Sequence, residues 1–374
     1  MSGNASGKRL IVLGASARAA AHSAARAGLE PYAIDLFADR DLVALCPTVR
    51  IERYPAGFLP ALAAAPDVPW MYTGGLENYP RLVEQLTRVR PLWGNRGDSL
   101  RAVRDPCRLA RVLTGEGFRV PELRSTGMER GGGKWLVKPR RGSGGLGVRW
   151  ANDDDFARPN KGCVIQQYME GECCSATYVA AGGRAVLLGA TQQLVGRDWD
   201  IEPPFVYVGS LAPLALSTSE YQRLARLGEV LASRFGLVGL VGVDFVRAEG
   251  EIWPLEVNPR YTASVEVLER VTGRSLVADH MAACADAALP DEAIHGNGGC
   301  AGKAVVYARR PCIWRESVMP DAADVPNDGQ TFEPGQPLVS LFASGDRLAA
   351  VERSLRSRAA AVLDQVIEAR RTAK

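Results

Sequence analysis

The sequence predicts a chain of mixed α/β and α+β class: a parallel, Rossmann-like sheet first, a two-part antiparallel core next, and a small β-rich unit closed by a helix at the end. Three observations predict it. Short apolar runs alternate with helical patterns over the first 95 residues, as strand–helix–strand units do. From Lys134 to Val257 strand-like runs follow one another through glycine-bearing turns, which is hairpin chemistry. After residue 290 glycine and proline become frequent, until apolar residues from Leu348 to Ile367 recur at helical spacing. The expected units are therefore residues 1–95, 96–290 and 291–374. More than one is needed, because single cores stop growing near ~250 to 300 residues.

Taken in order, Lys8 to Gly14 reads as a buried strand and Ala15 to Gly28 as an alanine-rich helix with glycine at its end. Strands at Pro31 to Leu36 and Trp70 to Thr73 and a helix around Leu82 to Val89 continue the parallel sheet. One helix is expected over Asp98 to Gly117, on the apolar residues Leu100, Val103, Leu109, Val112 and Leu113. A hairpin follows, from Lys134–Pro139 through a glycine-rich turn to Val148–Trp150. Further strands are expected at Cys163–Tyr168, Ser175–Val179 and Arg184–Ala190, then an amphipathic helix over Glu220–Phe235. Strands Leu240–Arg247 and Glu251–Val257 are joined by a three-residue turn, Ala248 to Gly250. Beyond residue 290, apolar runs such as Lys303–Tyr307 and Leu338–Phe342 mark the last strands.

Composition narrows the function. With 47% hydrophobic and 23% charged residues the chain can bury a large core. Lys plus Arg number 45 against 42 Asp plus Glu, and no basic block is long enough to follow a phosphodiester backbone, so nucleic acid is not an expected partner. The apolar run Leu10 to Leu13 is too short for a signal sequence or a membrane span, which makes the cytoplasm the expected location and a membrane no partner. The eight cysteines contain no CxxC pair, and Cys173 and Cys174 read as packing residues.

Three constellations carry chemistry. Lys138 precedes Arg141-Gly142-Ser143-Gly144-Gly145-Leu146-Gly147, where four glycines in six residues let backbone amides approach an anion and the lysine adds a compact positive charge. It is not a P-loop, because the lysine comes before the glycines and the flanks read as strands. Glu256 and Asn258 leave the same face of one strand, and Asp244 on the preceding strand falls opposite Pro254 and diagonal to Glu256. Oxygen ligands in an incomplete set suit magnesium, which keeps waters and takes its remaining ligands from phosphates. Arg260, two residues on, would then neutralise charge on a transferred phosphoryl group. The third set is Gln166-Gln167-Tyr168-Met169-Glu170-Gly171-Glu172, a strand end able to offer backbone groups to a base edge, apolar side chains to its faces and a carboxylate to ribose.

In this order and spacing the three sets resemble the ATP-grasp superfamily, which includes biotin carboxylase, D-alanine:D-alanine ligase and many carboxylate-amine ligases, over about residues 96 to 285. The resemblance implies an ATP-dependent ligase that activates a carboxylate as an acyl phosphate for attack by an amine or similar nucleophile, with magnesium or manganese as cofactor and small molecules as partners. It implies VKPRRGSGGLGV as the phosphate-covering loop with Lys138 on the α- or β-phosphate, QQYMEGE as the adenine hinge, and Glu170 or Glu172 on ribose. Asp244, Glu256 and Asn258 match the family's magnesium ligands, and EVNPR sets Arg260 where the biotin carboxylase group has its catalytic arginine. Many members carry a lysine after the aspartate that begins the core, whereas Asp105 here precedes Pro106, and Arg104 or Arg108 is expected to substitute. The run EVNPRYTASVEVLERVTG is similar to predicted ligases of microbes with tetrahydromethanopterin or methanofuran one-carbon pathways, which implies a place in cofactor biosynthesis. A homodimer is compatible with the resemblance, and Ser264 and Arg309 are expected at the acceptor site.

Two other readings compete. The opening VLGASARAA with Asp35 suggests an NAD-binding oxidoreductase, but the second and third glycines of the dinucleotide fingerprint are missing. A nucleotide-binding module without catalysis would not need Lys138, both carboxylates, Asn258 and Arg260 together. His22 and His295 read as incidental and His280 as a packed residue.

Overall fold

The computed structural model describes residues 9–124, 132–157, 160–291, 298–315 and 319–368. Lys8 and His295 lie outside the described residues. Four parallel strands open the chain, in the order Thr48–Arg50, Glu30–Asp35, Arg9–Gly14, Trp70–Tyr72. Leu10 and Val12 pack in one core with the alanines of helix Arg18–Arg26, while Ile11 and Leu13 share another with Phe58 and Leu62. A parallel strand covered on both faces needs such an unbroken apolar run.

The single helix expected over Asp98–Gly117 is two, Gly97–Val103 and Pro106–Gly115. The Asp105 carboxylate accepts from the backbone amides of Cys107 at 2.9 Å and Arg108 at 3.3 Å, and Pro106 takes the first helical position. A capping acid and a proline together restart the helix, leaving Arg104 at the joint.

Two antiparallel sheets follow. The smaller runs Leu123–Arg124, Cys163–Gln167, Trp135–Pro139, Arg149–Trp150. The larger has eight strands, ordered Glu251–Asn258, Gly239–Ala248, Glu172–Ala181, Arg184–Val195, Tyr207–Ala212, Cys300–Tyr307, Pro337–Gly345, Ala322–Ala323. Of the strands after residue 290, Thr331–Phe332, Cys312–Ile313 and Ile367–Glu368 form a third, small antiparallel sheet, and the other three lie in the large one, because a strand's apolar alternation does not name its partner. Helix Leu348–Gln365 lies on these strands so closely that a Cβ at Gly302 would come within 2.8 Å of Val351. Ile367, read as helical, falls past the helix end in the short strand Ile367–Glu368.

The hairpin that bears the acidic residues also departs from expectation. Its turn has two residues, Glu249 at φ 53° and Gly250 at φ 74°, the paired left-handed geometry whose twist matches the strands. Phe245 then pairs with Pro254, which has no N–H to give, and the ladder shifts by one residue beyond it. The bulge puts Asp244 directly opposite Glu256 instead of opposite Pro254.

One buried ion cluster joins the layers. Arg18, 3% exposed, pairs with both oxygens of Glu266 and donates to Asp324 at 2.9 Å and 3.2 Å, and Lys303 reaches Glu266 at 3.0 Å. Burial works against ionisation of Glu266, but Lys303 and Arg18 outweigh it and hold that carboxyl down to about 2; Asp324 is held well below the ordinary range in the same way. A carboxyl with a depressed folded value stabilises above its unfolded value, near ~4, and loses that contribution as pH falls through the folded one. Arg18→Met should therefore cost about 3–5 kcal/mol in a urea melt at neutral pH, the usual size for breaking a buried pair. Its stability should also fall less steeply than the parent's between about pH 4 and pH 2.

Candidate active site

The glycine loop leaves the strand Trp135–Pro139 and closes against the opposite sheet. Gly144, Gly145 and Gly147 all have positive φ, and a Cβ on Gly145 would fall 1.8 Å from the Phe205 carbonyl oxygen, so no other residue fits. The Gly144 carbonyl accepts from the Tyr207 amide at 2.9 Å. On the other flank the Gly142 carbonyl accepts from Asn78 Nδ2 at 3.1 Å and Arg104 Nη2 at 3.3 Å. Beneath the loop Lys138 Nζ donates to Gln166 Oε1 at 3.0 Å.

Asp244, Glu256 and Asn258 come together on the bulged hairpin. Asn258 Nδ2 donates to Asp244 Oδ2 at 2.9 Å, Gln193 Nε2 donates to Asp244 Oδ1 at 2.8 Å, and Arg104 pairs with Glu256. Burial and the neighbouring Glu256 push the Asp244 carboxyl above its ordinary value. Burial acts the same way on Glu256, but Arg104, Lys138 and Arg260 outweigh it and hold that carboxyl low. Two carboxylates and an amide oxygen, one carboxylate raised by its neighbour, fit a divalent cation that completes its shell elsewhere. No group of three or more His, Cys, Asp or Glu side chains among the described residues is arranged to hold a metal, so an all-protein cage is not offered.

Arg260 projects from the end of the same strand. Its guanidinium donates to Glu77 Oε1 from Nε at 2.9 Å and from Nη2 at 2.8 Å, and to Asn258 Oδ1 at 3.3 Å. The next acids along the chain, Glu266 and Glu269, are engaged by Arg18 and Arg26. Glu77 and Asn78 belong to a short turn, Leu76–Asn78, of the first sheet. Nothing in the local sequence GGLENYP marks them, since each acts across more than 60 residues of chain.

These groups share one cavity of about 520 Å³. Lys138, Gly142, Ser143, Gly144 and Gly145 line it, as do Gln166, Gln167, Tyr168 and Met169 with Asp244, Glu256, Asn258 and Arg260. Tyr168 is fixed edge-on to Trp150 at 4.8 Å, and its hydroxyl accepts from Arg197 Nη1 at 2.9 Å. Five expected site residues are not among the lining ones. Arg108 and Arg141 are exposed, Glu170 is exposed, Glu172 is held by Arg247 at 2.5 Å, and Arg309 is exposed. Of the two arginines weighed for the missing lysine, the helix break brings Arg104 to the cavity. Ser264 lines it too. His280 is buried, its Nδ1 accepting from the Leu240 amide at 2.8 Å, and burial lowers it to about 4.

Asp35 does not behave as a ribose ligand. Its Oδ2 accepts from the Ala17 amide at 2.6 Å and its Oδ1 from the amides of Phe37 at 2.7 Å and Ala38 at 2.6 Å. Both oxygens are spent on the chain's own backbone, including the helix start where a dinucleotide pyrophosphate would sit.

With this geometry in hand, residues 103–264 match the ATP-grasp domain family. The chain carries an ATP-grasp domain. An uncharacterized protein of Methanocaldococcus jannaschii is 22% identical over 362 residues, spanning 90% of this chain and 88% of that one. Among solved structures, the L-amino acid ligase of Bacillus licheniformis superposes with TM-score 0.71 at 15% identity, over 97% of this chain and 99% of the ligase. The biotin carboxylase domain of Hydrogenobacter thermophilus 2-oxoglutarate carboxylase, solved with MgADP, ADP and bicarbonate, superposes with TM-score 0.69 at 16% identity, over 95% of this chain and 90% of that one. The fold is thus shared with these enzymes over nearly the whole chain. No helix among the described residues is long and apolar enough to cross a membrane.

Because Glu77 is 1% exposed and faces a nearly buried Arg260, Glu77→Gln leaves a cation without its counter-charge. A urea melt of that variant should show a loss of about 3 kcal/mol or more. A loss within ~0.5 kcal/mol, the range of surface changes, would contradict it.

Proposed function

We propose that the chain is an ATP- and magnesium-dependent ligase that activates a small carboxylate as an acyl phosphate for attack by an amine. The observation that carries this reading is the convergence of the glycine loop with Lys138, the Asp244, Glu256 and Asn258 set, and Arg260 on one cavity wall. The relatedness of fold to an L-amino acid ligase and to a carboxylase domain solved with MgADP supports it.

Each group has a part in that chemistry. Lys138 and the loop amides bind phosphate oxygens, and the segment Gln166 to Met169 borders the base. Asp244, Glu256 and Asn258 would hold magnesium, which would offset negative charge on the phosphates. Arg104 carries the charge expected of the family's first lysine, and its contact with both Glu256 and the Gly142 carbonyl sets it between metal site and loop. Neither Glu170 nor Glu172 lines the cavity, so ribose would be held by other groups. Arg260 stabilises the phosphoryl group in flight, which demands a charge positioned where that group sits in the transition state. The double contact with Glu77 orients the guanidinium in advance. Domain limits near residues 95 and 290 and a role in cofactor biosynthesis belong to the same proposal.

Two measurements test it. ATP with magnesium should raise the melting temperature and NAD should not; at ~100 times its dissociation constant a ligand adds ~2.7 kcal/mol. A shift with NAD alone would favour the oxidoreductase reading, and ATP binding without ADP release from any carboxylate and amine mixture would favour a module without catalysis. Arg260→Lys should lower ADP release at least ~10-fold, with ATP affinity within a few-fold and little change in melting. An ammonium keeps the charge near Glu77 but cannot contact two phosphoryl oxygens at once. Near-normal turnover with a lowered melting temperature would reduce Arg260 to a structural role.

A further inference from the structure

One part of the cavity wall is formed by the turn after strand Glu30–Asp35 and by the segment around Asp324. Two residues of that turn, Phe37 and Asp39, line it, and Pro326 faces in from the later segment. The turn is tightly held. Asp35 accepts from the amides of Phe37 and Ala38, and Ala38 takes φ 51°, a conformation non-glycine residues adopt only when their surroundings impose it. Behind it the Arg40 amide donates to the Val325 carbonyl at 2.9 Å, and the amides of Asp324 and Val325 donate to Asp41 at 3.0 Å each.

Every acid around this turn except one has its partners. Asp35 is spent on backbone amides and Asp41 on the segment opposite. Asp324 is taken by Arg18, Lys303, Ser16 and Ser340, and Glu266 by Arg18 and Lys303. Asp39 is 7% exposed, lines the cavity, and its carboxylate makes no hydrogen bond or ion pair among the described residues. A buried carboxyl with no partner costs stability, and it is retained where it meets a ligand.

We propose that Asp39 is the recognition point for the protonated amino group of the amine co-substrate, with Phe37 and Pro326 receiving the carbon skeleton that bears it. The assignment rests on the ligase reading of the cavity and adds to it the charge of the substrate and where it docks. Local charge selects a cation. The charged groups acting on Asp39 are the acids Asp324, Asp35 and Asp41 and the base Arg18, itself paired with Glu266 and Asp324. An amine co-substrate, protonated at neutral pH, supplies such a cation. In agreement, burial and then Asp324, Asp35 and Asp41, opposed by Arg18, push the Asp39 carboxyl up to about 8. At pH 7 it is mainly protonated, so an arriving ammonium group should displace a proton.

The test needs no turnover. Benzylamine and its neutral counterpart benzyl alcohol are titrated into the full chain by calorimetry at pH 7, in two buffers of different ionisation enthalpy. Benzylamine should bind at least ~10-fold more tightly, a difference of ~1.4 kcal/mol, and release on the order of one proton. In Asp39→Asn both the preference and the proton release should vanish. Because the carboxyl's folded value is raised, its ionisation opposes folding above about pH 4, so the variant should melt at the same or a higher temperature at pH 8. Equal affinities, no binding of either probe, a preference that survives in Asp39→Asn, or a lower melting temperature for that variant would each overturn the assignment. If the preference holds while no mixture yields ADP, the ligase reading falls and the ammonium site stands.

Discussion

The buried cluster of Arg18, Glu266, Lys303 and Asp324 decides where the walls of the cavity stand. Its four members come from the first helix, the helix after Arg260 and two late segments of the chain, and only their mutual pairing makes the burial of so many charges tolerable. Glu266 lies six residues beyond Arg260, and Asp324 lies beside the segment that docks on Asp41. Shifting any one segment would leave an uncompensated charge inside. The pairing of Arg260 with Glu77 repeats the device, so the turn of the first sheet is tied to the end of the acidic hairpin as well.

Given that frame, the residues whose chemistry depends on local spacing were legible in the sequence. A lysine before four glycines, and Glu256, Asn258 and Arg260 at steps of two, announce themselves because phosphate and magnesium need those types in that order. In the structure Gly145 cannot carry a Cβ beside Phe205, and the three oxygen-bearing side chains meet on one hairpin. What could not be read was the register. Counting from a three-residue turn put Asp244 opposite Pro254, whereas the two-residue turn and the bulge past Pro254 set it against Glu256. A proline in a strand was the available signal, since it removes a ladder donor and invites a bulge.

Other partners were hidden for a different reason. Glu77, Asn78 and Gln193 act on Arg260, Gly142 and Asp244 across long stretches of chain, and no local pattern encodes such a meeting. The helix break at Asp105 explains why Arg104 and not Arg108 reaches the cavity: the cap restarts the helix, Arg108 turns to its exposed face, and Arg104 is left at the joint. Glu172 looked suited to ribose only while its neighbour strand was unknown. Once Arg247 lies beside it in the sheet, its carboxylate is occupied.

The cavity therefore divides by how its walls are made. The wall proposed for the nucleotide comes from the loop, the segment Gln166 to Met169 and the hairpin, short segments each with a chemical pattern of its own. The wall proposed for the acceptor is assembled from Phe37 and Asp39 of the first sheet, Ser264 after the strand Glu251–Asn258, and Tyr307, Pro326 and Phe332 of the late strands and turns. Residues so dispersed share no motif, and their side chains meet only because the late strands join the central sheet and the ion cluster holds the first sheet against them. Reaction type is accordingly written in contiguous sequence, whereas substrate choice is written in tertiary contacts. On the proposed reading a substitution in the glycine loop would act on phosphate binding directly, while one at Arg18 would shift the turn that carries Asp39 against the segment that carries Asp324.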